Sequence, residues 1–163
     1  MISFEELYKR YSGDVFRFAL YLSGNRAEAE DIVSEAFVRV WTAPGPLRTE
    51  SVKAYLFVIA RNLYLHERRS AARRTEVDDA LPDVAAGPEA SAAQRQELRL
   101  VLEALNQLPE VDRSALIMRA WSEMPYEEIA AVLQLPLATV RVKVHRARLK
   151  LAQTIESPVR KTP

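Results

Sequence analysis

Residues 126–151, YEEIAAVLQLPLATVRVKVHRARLKL, decide the fold of the C-terminal half of this chain. The spacing of the apolar residues predicts a short helix over residues 126–133, which Gln134-Leu135-Pro136 ends. A second helix is predicted to begin near Ala138 or Thr139. Its apolar residues recur at helical spacing and form one stripe: Val140, Val144, Ala147 and Leu151. Two helices separated by a tight turn are typical of a helix-turn-helix, whose second helix enters the DNA major groove.

The outward face of the second helix favours this interpretation because it is basic. At roughly 100° per residue, the positions opposite the stripe are Val142, His145, Arg146 and Leu149. The flanking positions are Arg141, Lys143, Arg148 and Lys150. No Asp or Glu occurs from residue 129 to residue 155. A basic amphipathic helix can also be a solvated face or bind a membrane or a partner protein, but the turn and the short preceding helix favour DNA.

Composition excludes several classes of protein. The chain has 163 residues, 48% of them apolar, and a net charge of only +1. Residues 71–98 carry 3 Lys+Arg against 6 Asp+Glu, whereas residues 1–70 (10 against 9) and 99–163 (10 against 7) are near-neutral or basic. With no cysteine and two isolated histidines, neither a metal site nor a cofactor is expected. The sequence shows no signal peptide and no apolar run of bilayer length, so a cytoplasmic protein without membrane insertion is expected.

Three helices are predicted in the N-terminal half. Ser3 and Asn25 are the predicted N-caps of the first two, which end at Gly24 and Trp41. A third helix follows the loop predicted at residues 42–50, which holds two prolines and a glycine. The residues predicted to face inward are Leu7, Tyr11, Val15, Phe18, Leu22, Ile32, Val33, Ala36, Phe37, Val40, Tyr55, Leu56, Ile59, Ala60 and Leu63.

An acidic segment separates this half from the next. Residues 75–93 are rich in small and acidic residues and contain two prolines and a glycine, which predicts a flexible linker. Two further helices, the first over residues 94–107, precede the helix-turn-helix, and no segment has a strand pattern. The predicted fold is therefore all-α, with two small helical domains and a helix-turn-helix in the second. The boundaries are 1–74 for the first domain, 75–93 for the flexible acidic linker, 94–156 for the second domain and 157–163 for a tail.

The sequence contains no catalytic constellation. It has no glycine-rich phosphate loop, no nucleophile elbow and no His–carboxylate cluster, so neither an enzymatic activity nor a small-molecule substrate is expected. A second basic cluster lies along the third helix, beside aromatic residues. Its cations are Arg61, Arg68, Arg69, Arg73 and Arg74, and the aromatics are Trp41, Tyr55, Phe57 and Tyr64. Such residues can stack on unpaired bases and hold phosphates; alternatively, the aromatics are core and the arginines are solvated.

Three blocks of the sequence resemble one protein family, the extracytoplasmic-function (ECF) sigma factors of the bacterial sigma-70 family. Residues 29–41, AEDIVSEAFVRVW, resemble its region 2.2, and residues 54–69, AYLFVIARNLYLHERR, resemble its regions 2.3 and 2.4. Residues 105–151, which contain LNQLPEVDRSALIMRAW and the helix-turn-helix, resemble region 4. The resemblance implies an RNA polymerase sigma factor that directs promoter-specific transcription initiation. The implied partners are core RNA polymerase (its β′ clamp helices and β flap), promoter DNA and an anti-sigma factor.

The resemblance also implies roles for individual residues. Region 2.2 of the family binds the β′ clamp helices, and the matching positions are Asp31, Glu35, Phe37, Arg39 and Trp41, of which Phe37 and Trp41 are expected to be mostly core. Family members capture a flipped base of the −10 element with residues before and along the third helix. The matching positions here are Pro44, Lys53, Tyr55, Arg61, Asn62, Arg68 and Arg69. The −35 element is read as duplex, at positions that match Thr139, Arg141, Val142, Lys143, His145, Arg146 and Arg148.

Two other functions stay open at this stage. A stand-alone helix-turn-helix regulator would need a dimerisation surface and a palindromic site, and it would not bind core polymerase. A sigma-like decoy that binds only an anti-sigma factor should have lost its DNA-facing cations, whereas Arg141, Arg146 and Arg148 are present. The turn departs from the family pattern because Gln134 replaces the usual glycine. A left-handed Gln134 would cost about 1 kcal/mol.

Overall fold

Seven helices make up the part of the chain that the computed structural model describes, residues 2–43, 52–73 and 91–160, with side chains described as far as residue 155. Their bounds are α1 Phe4–Ser23, α2 Arg26–Thr42, α3 Val52–Arg73, α4 Ala92–Asn106, α5 Glu110–Ala120, α6 Tyr126–Leu133 and α7 Leu137–Arg160. The all-α prediction is confirmed. Most of the predicted loop at 42–50 and of the predicted linker at 75–93 lies outside the described residues.

Helices α1, α2 and α3 pack against one another and form the first helical unit. Both predicted N-caps are present: the Ser3 hydroxyl accepts a hydrogen bond from the Glu6 amide at 3.1 Å, and the Asn25 side chain accepts one from the Glu28 amide at 2.9 Å. Between α1 and α2, Gly24 adopts a left-handed conformation (φ 69°), which ends the first helix and reverses the chain.

The core of this unit contains most of the residues predicted for it, and Phe18 stacks on Phe57 with 4.7 Å between ring centroids. The prediction of a core position was wrong for Tyr55 and Trp41, whose exposed fractions are 44% and 47%. Tyr55 lies on the flank of the buried face of α3. Trp41 lies on the last turn of α2, where its ring and that of Phe4 meet edge-to-face with 5.4 Å between ring centroids. By contrast, Phe37 is buried as predicted.

Helices α4 to α7 form the second unit, in which α7 packs against α4, α5 and α6. The predicted stripe of α7 is confirmed, because Val140, Val144 and Ala147 are buried and Leu151 is partly buried. Helix α4 starts two residues before its predicted beginning, where Ser91 and Gln94 form a capping box that the sequence analysis missed. Helix α7 extends to Arg160 and so includes the first residues of the predicted tail.

The two units also contact each other, through α1 with α4 and α5 and through α3 with α6. Helix α5 lies at the centre of this contact, and every residue from Asp112 to Met118 is buried. The burial of three polar residues there, Asp112, Arg113 and Ser114, was not predicted. Across the described ranges, no helix combines the length and apolarity that crossing a bilayer requires. The same residues contain no group of three His, Asp or Glu side chains suited to a metal ion.

Candidate nucleic-acid interface

The turn between α6 and α7 sets the position of the candidate recognition helix. Gln134 has φ 56° and ψ 48°, the left-handed conformation expected from its place in the turn. The amides of Gln134 and Leu135 both donate to the Ala130 carbonyl, the second at 3.0 Å. The Val140 amide then donates to the Pro136 carbonyl at 3.1 Å and begins the α7 ladder. These bonds satisfy the end of α6 and orient α7 away from it, as in a helix-turn-helix.

The outward face of α7 is open to solvent. Of the predicted −35 residues, the exposed ones are Arg141, Val142, His145, Arg146 and Arg148, and the partly buried ones are Thr139 and Lys143. A helix with its side chains is about 10–12 Å across, which matches the roughly 12 Å width of the B-DNA major groove. Since this face carries cations and no carboxylate, it has the shape and the charge that insertion into the groove requires.

Arg141 is held by an aromatic ring that the sequence analysis did not single out. Its guanidinium lies 5.6 Å from the ring centroid of Tyr126, the first residue of α6, and Arg119 lies 4.5 Å from the same ring. Such cation–π contacts limit the rotamers of an exposed arginine. Tyr126 therefore restricts the orientation of the Arg141 side chain. No periodic pattern links the two residues, so their contact depends on the turn.

Lys143 differs from its neighbours because it forms an ion pair within the second unit. Its Nζ lies 3.2 Å from Oδ1 of Asp112, whose side chain is only 7% exposed. The pair connects α7 to α5 and directs this cation toward the unit's own core rather than outward. Of the predicted −35 residues, Lys143 is thus the one with a defined structural partner of opposite charge among the described residues.

In the first unit, α2 and α3 enclose an acidic groove. It is lined by Glu28, Asp31, Ile32, Ser34, Glu35, Val38, Leu63, His66 and Glu67. Asp31 and Glu35 are exposed along it, and Arg39 pairs with Glu35 at 3.1 Å. Burial raises the pKa of Glu28, and the ion pair with Arg68 at 2.7 Å offsets only part of this effect. A groove with four carboxylates and an exposed Val38 suits a partner that presents basic and aliphatic side chains.

The predicted −10 residues are not all brought to one open surface. Tyr55, Asn62, Arg68 and Arg69 are exposed, and Pro44 lies outside the described residues. Arg68 lies over the Tyr64 ring at 4.9 Å while it pairs with Glu28. Lys53 and Arg61 instead contact the second unit. Lys53 donates to the Ser122 carbonyl at 2.9 Å, and Arg61 is bound by the Glu110 carboxylate.

Comparison with known proteins assigns both units to one family. Sigma-70 region 2 matches residues 7–74, and Sigma-70 region 4 matches residues 98–151. The ECF RNA polymerase sigma factor SigL of Mycobacterium tuberculosis is 32% identical over 159 residues, which cover 92% of this chain and 87% of SigL. The chain belongs to the ECF sigma factors of the sigma-70 family. This sigma factor is also 32% identical over 156 residues to the ECF RNA polymerase sigma factor SigE of Mycolicibacterium smegmatis, of which it spans 61%.

A solved structure matches most of the chain of this sigma factor. The sigma factor RpoE of Bartonella quintana, in complex with the anti-sigma factor NepR, is 27% identical with a TM-score of 0.77. The match covers 94% of this chain and 96% of that one. A score this high over both units requires that their relative placement is similar as well.

The residues of the sigma factor that sequence reasoning missed cluster around α5. They are Glu110, Asp112, Arg113, Ser114 and Ser122, together with Tyr126 at the start of α6. One signal was available: the apolar residues of α5 do not form a single stripe, because Ala115, Leu116, Ile117 and Met118 are consecutive. A helix that is apolar on all sides is buried on all sides. What covers it cannot be read from the periodicity.

Proposed function

We propose that this ECF sigma factor binds core RNA polymerase through its first unit and recognises a bipartite promoter with both units. The observation that carries the proposal is the exposed, acid-free face of α7 in a unit that matches Sigma-70 region 4. In the proposal, α7 reads the −35 element as duplex. The residues before and along α3 contact the −10 element as a melted strand.

The roles on α7 follow from the chemistry of its exposed residues. Arginine bonds guanine edges bidentately or holds phosphate, so Arg141 and Arg146 are proposed to provide most of the base and phosphate contacts. Val142, which is 53% exposed, is placed to contact a thymine methyl group.

Core binding is proposed for the acidic groove between α2 and α3. Asp31 and Glu35 would meet basic groups on the β′ clamp helices, while the exposed Val38 and Trp41 would bury apolar surface against them. Aromatic residues that are half exposed in the free protein are common anchors of protein interfaces. The second unit would bind the β flap, as the family resemblance implies.

An anti-sigma factor is proposed as the regulatory partner. The related RpoE of Bartonella quintana was solved in complex with such a factor. Since the present chain shares the placement of its units with that protein, it offers a similar combined surface. A partner that covers the acidic groove would exclude the clamp helices by occupying the same carboxylates.

Run-off transcription with reconstituted holoenzyme tests the proposal. Promoters selected by the holoenzyme from a random DNA library would serve as templates, and core polymerase alone as the control. The double variant Arg141→Ala/Arg146→Ala should still bind core polymerase but lose the promoter-dependent transcript. Absence of any promoter-dependent transcript with the wild-type chain would refute the proposed function. Failure to bind core polymerase would favour a stand-alone regulator.

A further inference from the structure

One ion pair joins the candidate −10 surface to the second unit. Arg61 of α3 donates from Nε to Oε1 of Glu110 at 2.6 Å and from Nη2 to Oε2 at 2.9 Å. Both side chains are mostly buried, at 17% and 20% exposure. Burial alone would raise the pKa of Glu110, but hydrogen bonds from Arg61 and Ser114 outweigh it and lower this pKa. The carboxylate is therefore a charged, two-point ligand for the arginine.

Other contacts lie around this ion pair. Buried Arg113 of α5 donates to the Leu22 carbonyl at 2.6 Å and to the Tyr64 hydroxyl at 3.0 Å, both in the first unit. Lys53 donates to the Ser122 carbonyl. Tyr21 and Trp121 meet edge-to-face with 5.0 Å between ring centroids. The contact thus engages two of the cations that the family resemblance places at the −10 element, Lys53 and Arg61.

The contact affects the two candidate DNA surfaces differently. The Glu110 carboxylate occupies the Nε–Nη2 edge of Arg61 and neutralises its charge, so a DNA phosphate competes with Glu110 for bidentate binding at that edge. Arg141, Val142 and Arg146, by contrast, stay exposed while the units are in contact. In this arrangement the −35 surface is available, whereas two cations of the −10 surface, Lys53 and Arg61, are engaged by the second unit.

Promoter geometry requires the contact to open. The −35 and −10 elements lie roughly 25 base pairs apart, about 85 Å along B-DNA at 3.4 Å per base pair. A compact chain of this length has a radius of gyration of about 15 Å. The units therefore cannot reach both elements while they stay in contact.

We propose that Glu110 is an internal competitor of the promoter strand, which binds Arg61 and withdraws it from the −10 surface while the sigma factor is free. The inference rests on the proposed function, because it assumes that Arg61 faces promoter DNA. The ion pair would also be a physical reason for a placement of the two units that resembles the placement in RpoE bound to its anti-sigma factor. An anti-sigma factor would stabilise an arrangement that the chain already populates by itself, and core polymerase would bind the open one.

Glu110→Ala in the full-length free chain tests the proposal. The matched control is Glu127→Ala, another first-turn carboxylate, which is exposed on α6. The probes are a labelled non-template −10 single strand and a −35 duplex, both taken from a promoter selected by wild-type holoenzyme. If about nine tenths of the free chain is closed, Glu110→Ala should bind the single strand about tenfold more tightly. The affinity of Glu110→Ala for the −35 duplex should differ from that of wild type by less than twofold. Glu127→Ala should bind both probes with the wild-type affinity.

Arg61→Ala and the double variant Arg61→Ala/Glu110→Ala complete the cycle, and the double variant should bind the single strand no more tightly than Arg61→Ala. Opening is measured directly by energy transfer between dyes at Arg17→Cys and Gln153→Cys, two exposed sites in a chain without cysteine. The energy transfer between the dyes should be lower in Glu110→Ala than in the wild-type chain. In the wild-type chain it should fall when core polymerase is added. Tyr21→Ala removes the ring contact with Trp121 and should also lower the energy transfer. It provides a second variant if Glu110→Ala misfolds.

Unchanged energy transfer and unchanged single-strand affinity in a folded Glu110→Ala variant would overturn the proposal. So would a gain that persists in the double variant, since it would not act through Arg61. These outcomes are separate from failure of the proposed function, which wild-type holoenzyme reports by giving no promoter-dependent transcript.

Discussion

Arg113→Met is the sharpest test of how the fold is held together. Arg113 is 6% exposed, and methionine keeps much of its apolar stem while removing the guanidinium. The substitution leaves three acceptors without their donor: the Leu22 carbonyl, the Tyr64 hydroxyl and the Leu108 carbonyl at 3.1 Å. It also removes a buried charge whose Nε has no acceptor among the described residues. The expected net result is a loss of stability.

The magnitude follows from these opposing effects. Each unsatisfied buried acceptor costs about 1–3 kcal/mol, whereas relief of the guanidinium's desolvation returns several kcal/mol. All three acceptors are shielded from water in the folded chain, so together they cost more than the desolvation that is returned. We therefore expect Arg113→Met to lower the free energy of unfolding by about 2–4 kcal/mol, or Tm by roughly 4–16 °C.

Urea denaturation followed by circular dichroism measures this loss directly. Arg99→Met on α4 is the matched control, because Arg99 is exposed and exposed substitutions usually stay within about 0.5 kcal/mol. A stability of Arg113→Met within 0.5 kcal/mol of wild type would refute the reasoning. It would mean that the hydrogen bonds of Arg113 do no more than offset the burial of its charge.

Three further predictions concern single residues. Arg146→Ala should weaken promoter binding by holoenzyme by about 1–3 kcal/mol in a gel-shift titration while core binding stays intact; loss of core binding would contradict the role of α7. Gln134→Gly should raise the free energy of unfolding by up to about 1 kcal/mol, because glycine adopts the left-handed conformation without strain; a loss in urea denaturation would show that the Gln134 side chain contributes contacts. Because burial raises the pKa of Glu28 above 4.5, stability should fall as pH rises from 4.5 through the folded-state pKa. Glu28→Gln should flatten that fall in urea denaturation at a series of pH values and be more stable than wild type at pH 7; a pH dependence as steep as that of wild type would contradict the burial argument.

The helix-turn-helix was predictable because its determinants are local. The stripe of Val140 and Val144 depends on a 3.6-residue period, and the left-handed turn at Gln134 depends on neighbouring residues. The N-caps at Ser3 and Asn25 could be read from the sequence for the same reason, since a capping side chain bonds an amide three residues away.

The exposure of Trp41 and Tyr55 and the burial of Arg113 were not predictable in this way. Helical periodicity places a residue on a face, but whether that face is covered depends on where the next helix ends. Trp41 lies on the last turn of α2, where Phe4 of α1 covers only part of its ring. Arg113 is buried by residues 91 and 49 positions away, Leu22 and Tyr64. Nothing in the local pattern of α5 reports such distant partners.

The chemistry of the contact between the units explains how one chain can be both well folded and able to open. Its specific bonds come mainly from charged side chains: Arg61 with Glu110, Lys53 with a carbonyl, and Arg113 with a carbonyl and a hydroxyl. When the units separate, each of these groups can be hydrated, and Arg61 and Lys53 gain the option of DNA phosphates. The buried apolar residues are continuous across the two units, so opening also exposes apolar surface around α5, which opposes it. The interior of each unit, built on residues such as Phe18, Phe57 and Val140, stays buried when only the contact opens. Opening should therefore cost less free energy than unfolding of the chain.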